Sequence, residues 1–461
     1  TEPVSGWQPH SGCIYKAQII LDMDDMNQVF VDGEMMPEAR WPHNTGTLLQ
    51  PSLAVADPGT TPESIYDADM PDMDWTGAAI WCCSSSRWTA WSSTVTRYEN
   101  HTVYFETRSP DIYNDAKEGG VYYLSGKLTA LGAEKEWYYN PSTATLYLWA
   151  PEGAVPSTRQ VEVKKRVYAL DLRERSYILV SGLHIQGASI TTKGADHCVH
   201  EGLTMRYIWH STRCEQGYGS QANTGVQLMG TCNTLKNSEI AYSSGCGVAI
   251  EGNGNSLVNC YIHDIDYSGT YGCPIRVDGE GHLISHNTAT RAGRSILIGD
   301  PQNCKIAYND MSACGLICHD VGIMHLFHTD GAGTEIHHNW VHDNGSGTLG
   351  AGIYLDNACQ NYIVHHNVVF NIPWAGLVLN LPSNYNLVYN NTIYNRDGLA
   401  GLHGKWGWTF PNDMLGVRIF NNIYRRLYRR GPGHRRVRMR QRALDGGTRF
   451  RTSASSGLAA C

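Results

Sequence analysis

Six segments in the second half of the chain close on residues that could share one chemistry. They are CGVAIE (246–251), CPIRVD (273–278), SILIG (295–299), HLFHTD (325–330), GIYLD (352–356) and GLVLN (376–380). Aligned at their ends they give a column of Glu251, Asp278, Gly299, Asp330, Asp356 and Asn380. Two residues earlier run Ala249, Arg276, Leu297, His328, Tyr354 and Val378. Carboxylates stacked on strands about 4.8 Å apart raise one another's pKa, so such a row is unfavourable unless protons, cations or a ligand relieve it. A structural reading stands beside this one, since Asp caps the amides of turns. Calcium on stacked oxygens is a third.

The chemistry that such a row suits is hydrolysis of a glycosidic bond. Asp330 and Asp356, on adjoining coils, would lie about 5 Å apart, the separation of a retaining pair. Asp278 and Asp330, two coils apart at about 9.6 Å, would suit inversion. The reading assigns Asp356 as nucleophile or base and Asp330 as general acid, with Asp278 in reserve. His328 would position a hydroxyl, and Arg276, Glu251 and Asn380 would line the substrate. Tyr354, Trp374, Trp406 and Trp408 offer rings on which sugars stack or simply cover the fold.

The elements that must hold this column are legible as a repeat. LKNSEI, LVNCYI, ISHNTA, IAYNDM, IHHNWV, VHHNVV, VYNNTI and IFNNIY carry Ser238, Cys260, Asn287, Asn309, Asn339, Asn367, Asn391 and Asn422 at their fourth positions, 22 to 31 residues apart. Units of that length with alternating apolar positions and Gly/Asn turns predict coils of a right-handed parallel β-helix over 161–424. The Asn column reads as a structural ladder. His337/His338 and His365/His366, which flank it, read as turn hydrogen-bonders, as do His263–Asp264 and His342–Asp343. Cys246 and Cys273 share a column, either as thiols or as a disulfide. Before 161 the pattern changes to hairpins, such as EWYYNPSTATLYLWAPEG, and predicts a β-sandwich-like module over 1–160.

Composition narrows the partners. Charged residues are 17% of the chain and the net charge is -7, but the segment from Arg425 holds eleven Arg and one Asp, leaving about -17 on 1–424. A body that acidic repels phosphate backbones, so nucleic acid is not an expected partner. Residues 425–461, with Arg, no Lys and no periodicity, read as a non-native or disordered tail. No apolar run reaches the roughly 20 residues of a membrane helix, and no CxxC pair suggests zinc. No cofactor is required. The chain starts at Thr1 rather than Met, which fits a secreted or periplasmic product.

The motifs VFVDGEMMPEARWP, EWYYNPSTATLYLWAP, HTDGAGTEIHHNWVHDN and GAGIYLDNACQNYIVHHNVVFN resemble those of bacterial β-helix glycoside hydrolases that carry a β-sandwich module, with β-xylosidase and xylanase-like relatives. The resemblance covers roughly 27–424. It implies a carbohydrate substrate and places the nucleophile at Asp356, closing GIYLD. It also implies a Glu acid where this chain has Asn380, and an amide cannot serve as that acid. Two other readings stay open on the same fold, a polysaccharide lyase working through Arg276 and calcium, and a non-catalytic carbohydrate binder.

Overall fold

The computed structural model describes residues 1–106, 111, 113–214, 220–380, 382–395, 400–404 and 414–426. Trp406, Trp408 and the Arg-rich stretch past Arg426 lie outside the described residues. From Tyr168 onward short strands recur three to a coil, and each pairs in parallel with the equivalent strand one coil away. Three parallel sheets result. The first runs from Tyr168–Asp171 to Ala400–Gly404, the second from Leu179–Ser181 to Arg418–Phe420, and the third from His184–Gln186 to Ile423–Arg426. The described residues hold no α-helix, only short 3-10 turns. No helix among them is long and apolar enough to cross a membrane.

Alternation sends one set of side chains inward on every strand. Val248, Ile250, Ile275, Val277, Met324, Leu326, Ile353 and Leu355 are buried on the first sheet and join a core continuous with the other two sheets. At the turn between the second and third sheets, the Asn ladder closes each coil on the next. Asn309 Nδ2 donates to Asn339 Oδ1 at 2.9 Å and to the Ile284 carbonyl at 2.9 Å, and Asn339 and Asn367 repeat the pattern. Outside this turn the flanking imidazoles stack from coil to coil, His337 on His365 at 4.9 Å and His338 on His366 at 5.0 Å. A second ladder, which the repeat alignment does not show, runs through the turn after the first sheet. Asn233, Asn255 and Asn386 there accept backbone amides of the preceding coil.

Residues 1–163 form three antiparallel sheets, and the first parallel pair of strands begins at Tyr168. Val161–Val163 therefore belongs with the antiparallel strands, pairing with Val29–Val31. This module lies against the loops that enter the first sheet. Trp81 Nε1 donates to the Ser268 carbonyl at 2.8 Å, Ala90 N to Gly269 O at 2.7 Å and His319 N to Arg87 O at 2.6 Å. Cys246 and Cys273 are buried thiols in register on neighbouring coils.

Candidate active site

The first sheet presents its outward face in two columns whose register differs from the sequence alignment at two strands. Asp278 is level with Asp300, not Gly299, because Gly299 pairs with inward Val277. After Ser295, SILIG is apolar throughout, so it carries no alternation to fix its phase. Gly299 has room only because it lacks a Cβ, which would sit 2.0 Å from the Val277 carbonyl oxygen. Asp356 is level with Phe327, not Asp330. The strand Gly322–Phe327 stops there, since His328 takes a positive φ of 56° and turns the chain away. The outward columns are thus Arg276, Ile298, His325, Tyr354, Val378 and, beside them, Glu251, Asp278, Asp300, Phe327, Asp356, Asn380.

Asp330 accordingly leaves the row. It sits in the following turn, level with Gln360. Its oxygens accept Gln360 Nε2 at 2.8 Å, Asn361 Nδ2 at 2.8 Å and the Ala332 amide at 2.9 Å. Partial burial raises its pKa, but Asn361, Ala332 and Gln360 outweigh that and leave it below the ordinary value. The structure thus places this exposed carboxylate in a turn cap, apart from the Asp356 row. His328 is exposed, leans on Phe327 at 4.3 Å, and does not join the site.

What gathers instead is a cluster centred on Asp356. Its Oδ2 lies 3.1 Å from His325 Nε2, while Oδ1 accepts Asn380 Nδ2 at 2.7 Å and the Asn357 amide at 2.9 Å. Burial pushes this carboxyl up, yet His325, Asn380 and Asn357 more than offset it, so Asp356 stays below the usual carboxylate range. Asn380, level with Asp356 one coil on, therefore orients the carboxylate. Tyr354 stacks on His325 at 4.6 Å and meets the edge of Trp374 at 5.9 Å. Both are buried, so neither is the open platform expected of them; together they wall the cluster.

The strand-end alignment does not single out Asp320. It lies two residues before Gly322–Phe327, whose closeness to Tyr354 requires glycine at 322: a Cβ there would come within 2.7 Å of Tyr354 Cβ. Burial pushes the Asp320 carboxyl up, His325 and Arg294 oppose this, and Asp356 adds to it. Its Oδ1 is buried with no partner. The indole of Trp88, from the N-terminal module, reaches the same carboxyl. Asp320 and Arg294 stand at strand entrances rather than strand ends. A charged residue just before an apolar strand is the signal that the sequence offers for them.

The remaining members of the row are occupied or apart. Arg276 Nε donates to Asp278 Oδ2 at 2.6 Å, and Asp278 Oδ1 accepts the Asp300 amide at 2.9 Å. Arg276 is thus committed to an ion pair rather than poised as a base. Asp300 is pushed up by burial and by Asp278. Glu251 is exposed at the start of the row. Among the described residues no three His, Cys, Asp or Glu side chains converge to hold a metal ion, so the calcium reading finds no cage there.

A family model described as a right handed beta helix region matches residues 220–393. The solenoid is a right-handed parallel β-helix. Among solved structures, one described as a glycoside hydrolase superposes with a TM-score of 0.50 at 11% identity, covering 90% of this chain and 81% of that one. The Gp54 tailspike of Acinetobacter baumannii bacteriophage AP22, solved with a capsular saccharide, gives 0.26 at 12% identity, covering 79% of this chain and 55% of that one. The catalytic domain of a GH87 α-1,3-glucanase in complex with tetrasaccharides gives 0.22 at 9%, covering 89% and 91%. No curated protein matches by sequence. At 11% identity the first of these likenesses speaks for the fold alone.

Proposed function

We propose that this β-helix is a glycoside hydrolase in which Asp356 works ionised and Asp320 works as the acid. The observation that carries the reading is the opposite displacement of two carboxyls in one cluster, Asp356 held down by its donors and Asp320 pushed up by burial. Enzymes that cleave glycosides need that division, one group to donate a proton and one to attack or to activate water. His325, Asn380 and the Asn357 amide fix the direction of the Asp356 oxygens. The glycan would lie across the outward face of the first sheet, between the Asp278–Asp300 and Asp356 levels. Such a polymer places the work outside the cytoplasm, in a secreted or periplasmic protein.

The finer β-xylosidase or xylanase-like assignment rests on the GIYLD resemblance. With Asn380 serving as a hydrogen-bond donor to Asp356, the acid comes in this reading from Asp320 on the entrance side instead.

The test is reducing-end release from a panel of plant and algal polysaccharides. D356N and D320N should each lose about 10²–10⁴-fold in rate, while D330N stays within a few-fold of the parent. Loss in D330N with D320N active would return the acid role to Asp330. Absence of sugar release from every substrate, or an unsaturated product absorbing in the ultraviolet, would sink the hydrolase reading.

A further inference from the structure

Behind Asp320 lies a charged side chain that the proposed chemistry does not use. Arg294 is 2% exposed, in the loop that enters Leu297–Gln302. Its Nη2 donates to the Asp320 carbonyl at 3.3 Å, and its guanidinium stands 4.3 Å above the Tyr271 ring. Nε and Nη1 have no hydrogen-bond partner. Asp266, fully buried behind it, also keeps one oxygen, Oδ2, without a partner. No direct ion pair joins Arg294 to either carboxylate among the described residues.

That arrangement is a poor stabiliser. A buried cation not paired at contact distance is unfavourable, and an apolar residue of similar volume is often better tolerated. Its charge, however, is not consumed by a contact, and it acts through a low-dielectric interior where electrostatic effects reach further. We propose that Arg294 is a positioning residue of this site, holding the Asp320 main chain in place and supplying the buried positive charge against which Asp320 titrates. The role rests on the reading of Asp320 as the acid. Asp320 faces His325, Tyr354 and Asp356 on the strands and Trp88 on the N-terminal module, with Arg87 beyond His319. Of these neighbours Asp356 favours its protonated form and His325 its ionised form; Arg294 adds to the latter.

The sign follows directly. A nearby cation favours the carboxylate, so its removal must raise the pH at which Asp320 ionises. The experiment is infrared titration of the protonated-carboxyl stretch, with the Asp320 band identified as the one missing in D320N. In R294M the midpoint of that band should rise by about half a pH unit or more, and in R294K it should stay at the parent value. R294Q carries the same expectation as R294M if the latter does not fold. An unmoved midpoint in R294M, an equal shift in R294K, or unfolding of both neutral variants would overturn the proposal. Because the readout needs no turnover, a shifted midpoint in a protein that cleaves no glycan would fault the hydrolase reading and not this one.

Discussion

Asp356 and Asp330 show how little a residue type says without its donors. Both are held ionised, but the donors of Asp330 are a turn amide and two half-buried amide side chains, whereas those of Asp356 stand within a buried wall of His325, Tyr354 and Asn380. A third case is Asp264, whose carboxylate takes Arg291 Nε at 2.9 Å and His263 Nδ1 at 2.6 Å. Burial raises its pKa, but Arg291 and then His263 overcome that and bring it to about 2. With an unfolded value near 3.9, linkage assigns this group about 2 kcal/mol of stability. The contribution is complete above about pH 4 and is lost as pH falls through the folded value. D264N should therefore be less stable than the parent by about 2 kcal/mol at neutral pH, and the two should converge near pH 2 in denaturant titrations. A constant gap at all pH values would show that the charge is not what matters.

At the scale of elements, the sequence reveals what repeats and hides what does not. Coil length and the Asn ladder follow from period-two alternation and from a polar residue recurring in an apolar setting. Phase is lost where alternation stops. SILIG offers no polar position after Ser295, and HLFHTD continues past its own strand because the left-handed turn at His328 has no glycine to mark it. Those two slips put Gly299 and Asp330 into a row that in fact holds Asp300 and Phe327. They also put His328 where His325 stands. Asp320 and Arg294 escape for a different reason: their nearness depends on which loops meet, and loop contacts leave no period. Gly299 tests the corrected register. Its φ is 141°, and any Cβ would stand 2.0 Å from the Val277 carbonyl oxygen, which leaves no space for a side chain. G299A should lose more than about 4 kcal/mol, or fail to accumulate as soluble protein. In contrast, G333A, with open space around it, should lose only about 1–2 kcal/mol, from its positive φ alone. Comparable stability of G299A and the parent would restore the phase read from the sequence.

At the scale of the molecule, one core runs through all three sheets and on into the N-terminal module through Trp81, Cys83 and Val121, so a fault in any coil is felt by its neighbours. His200 is such a fault under acid. It replaces an apolar residue in the inward stack of the second sheet, level with Val180 and Leu235, 1% exposed, with neither ring nitrogen hydrogen-bonded. Burial drives its pKa down to about 4. The folded protein keeps this ring neutral, while the unfolded chain takes up a proton near pH 6.5, so acid favours the unfolded state. Stability is therefore full above about pH 6.5 and declines towards pH 4, by about 3 kcal/mol for this one side chain. His210, brought to about 3 by burial, extends the decline further into acid. Replacing His200 with Leu removes the titrating group and fills the stack with the residue type found one coil on. Urea midpoints of H200L should fall less than those of the parent between pH 6.5 and 4, with the curves closest to parallel at neutral pH. If both proteins weaken equally across that interval, the acid response belongs to other groups, and the inward His200 is accommodated in a way that burial alone does not describe.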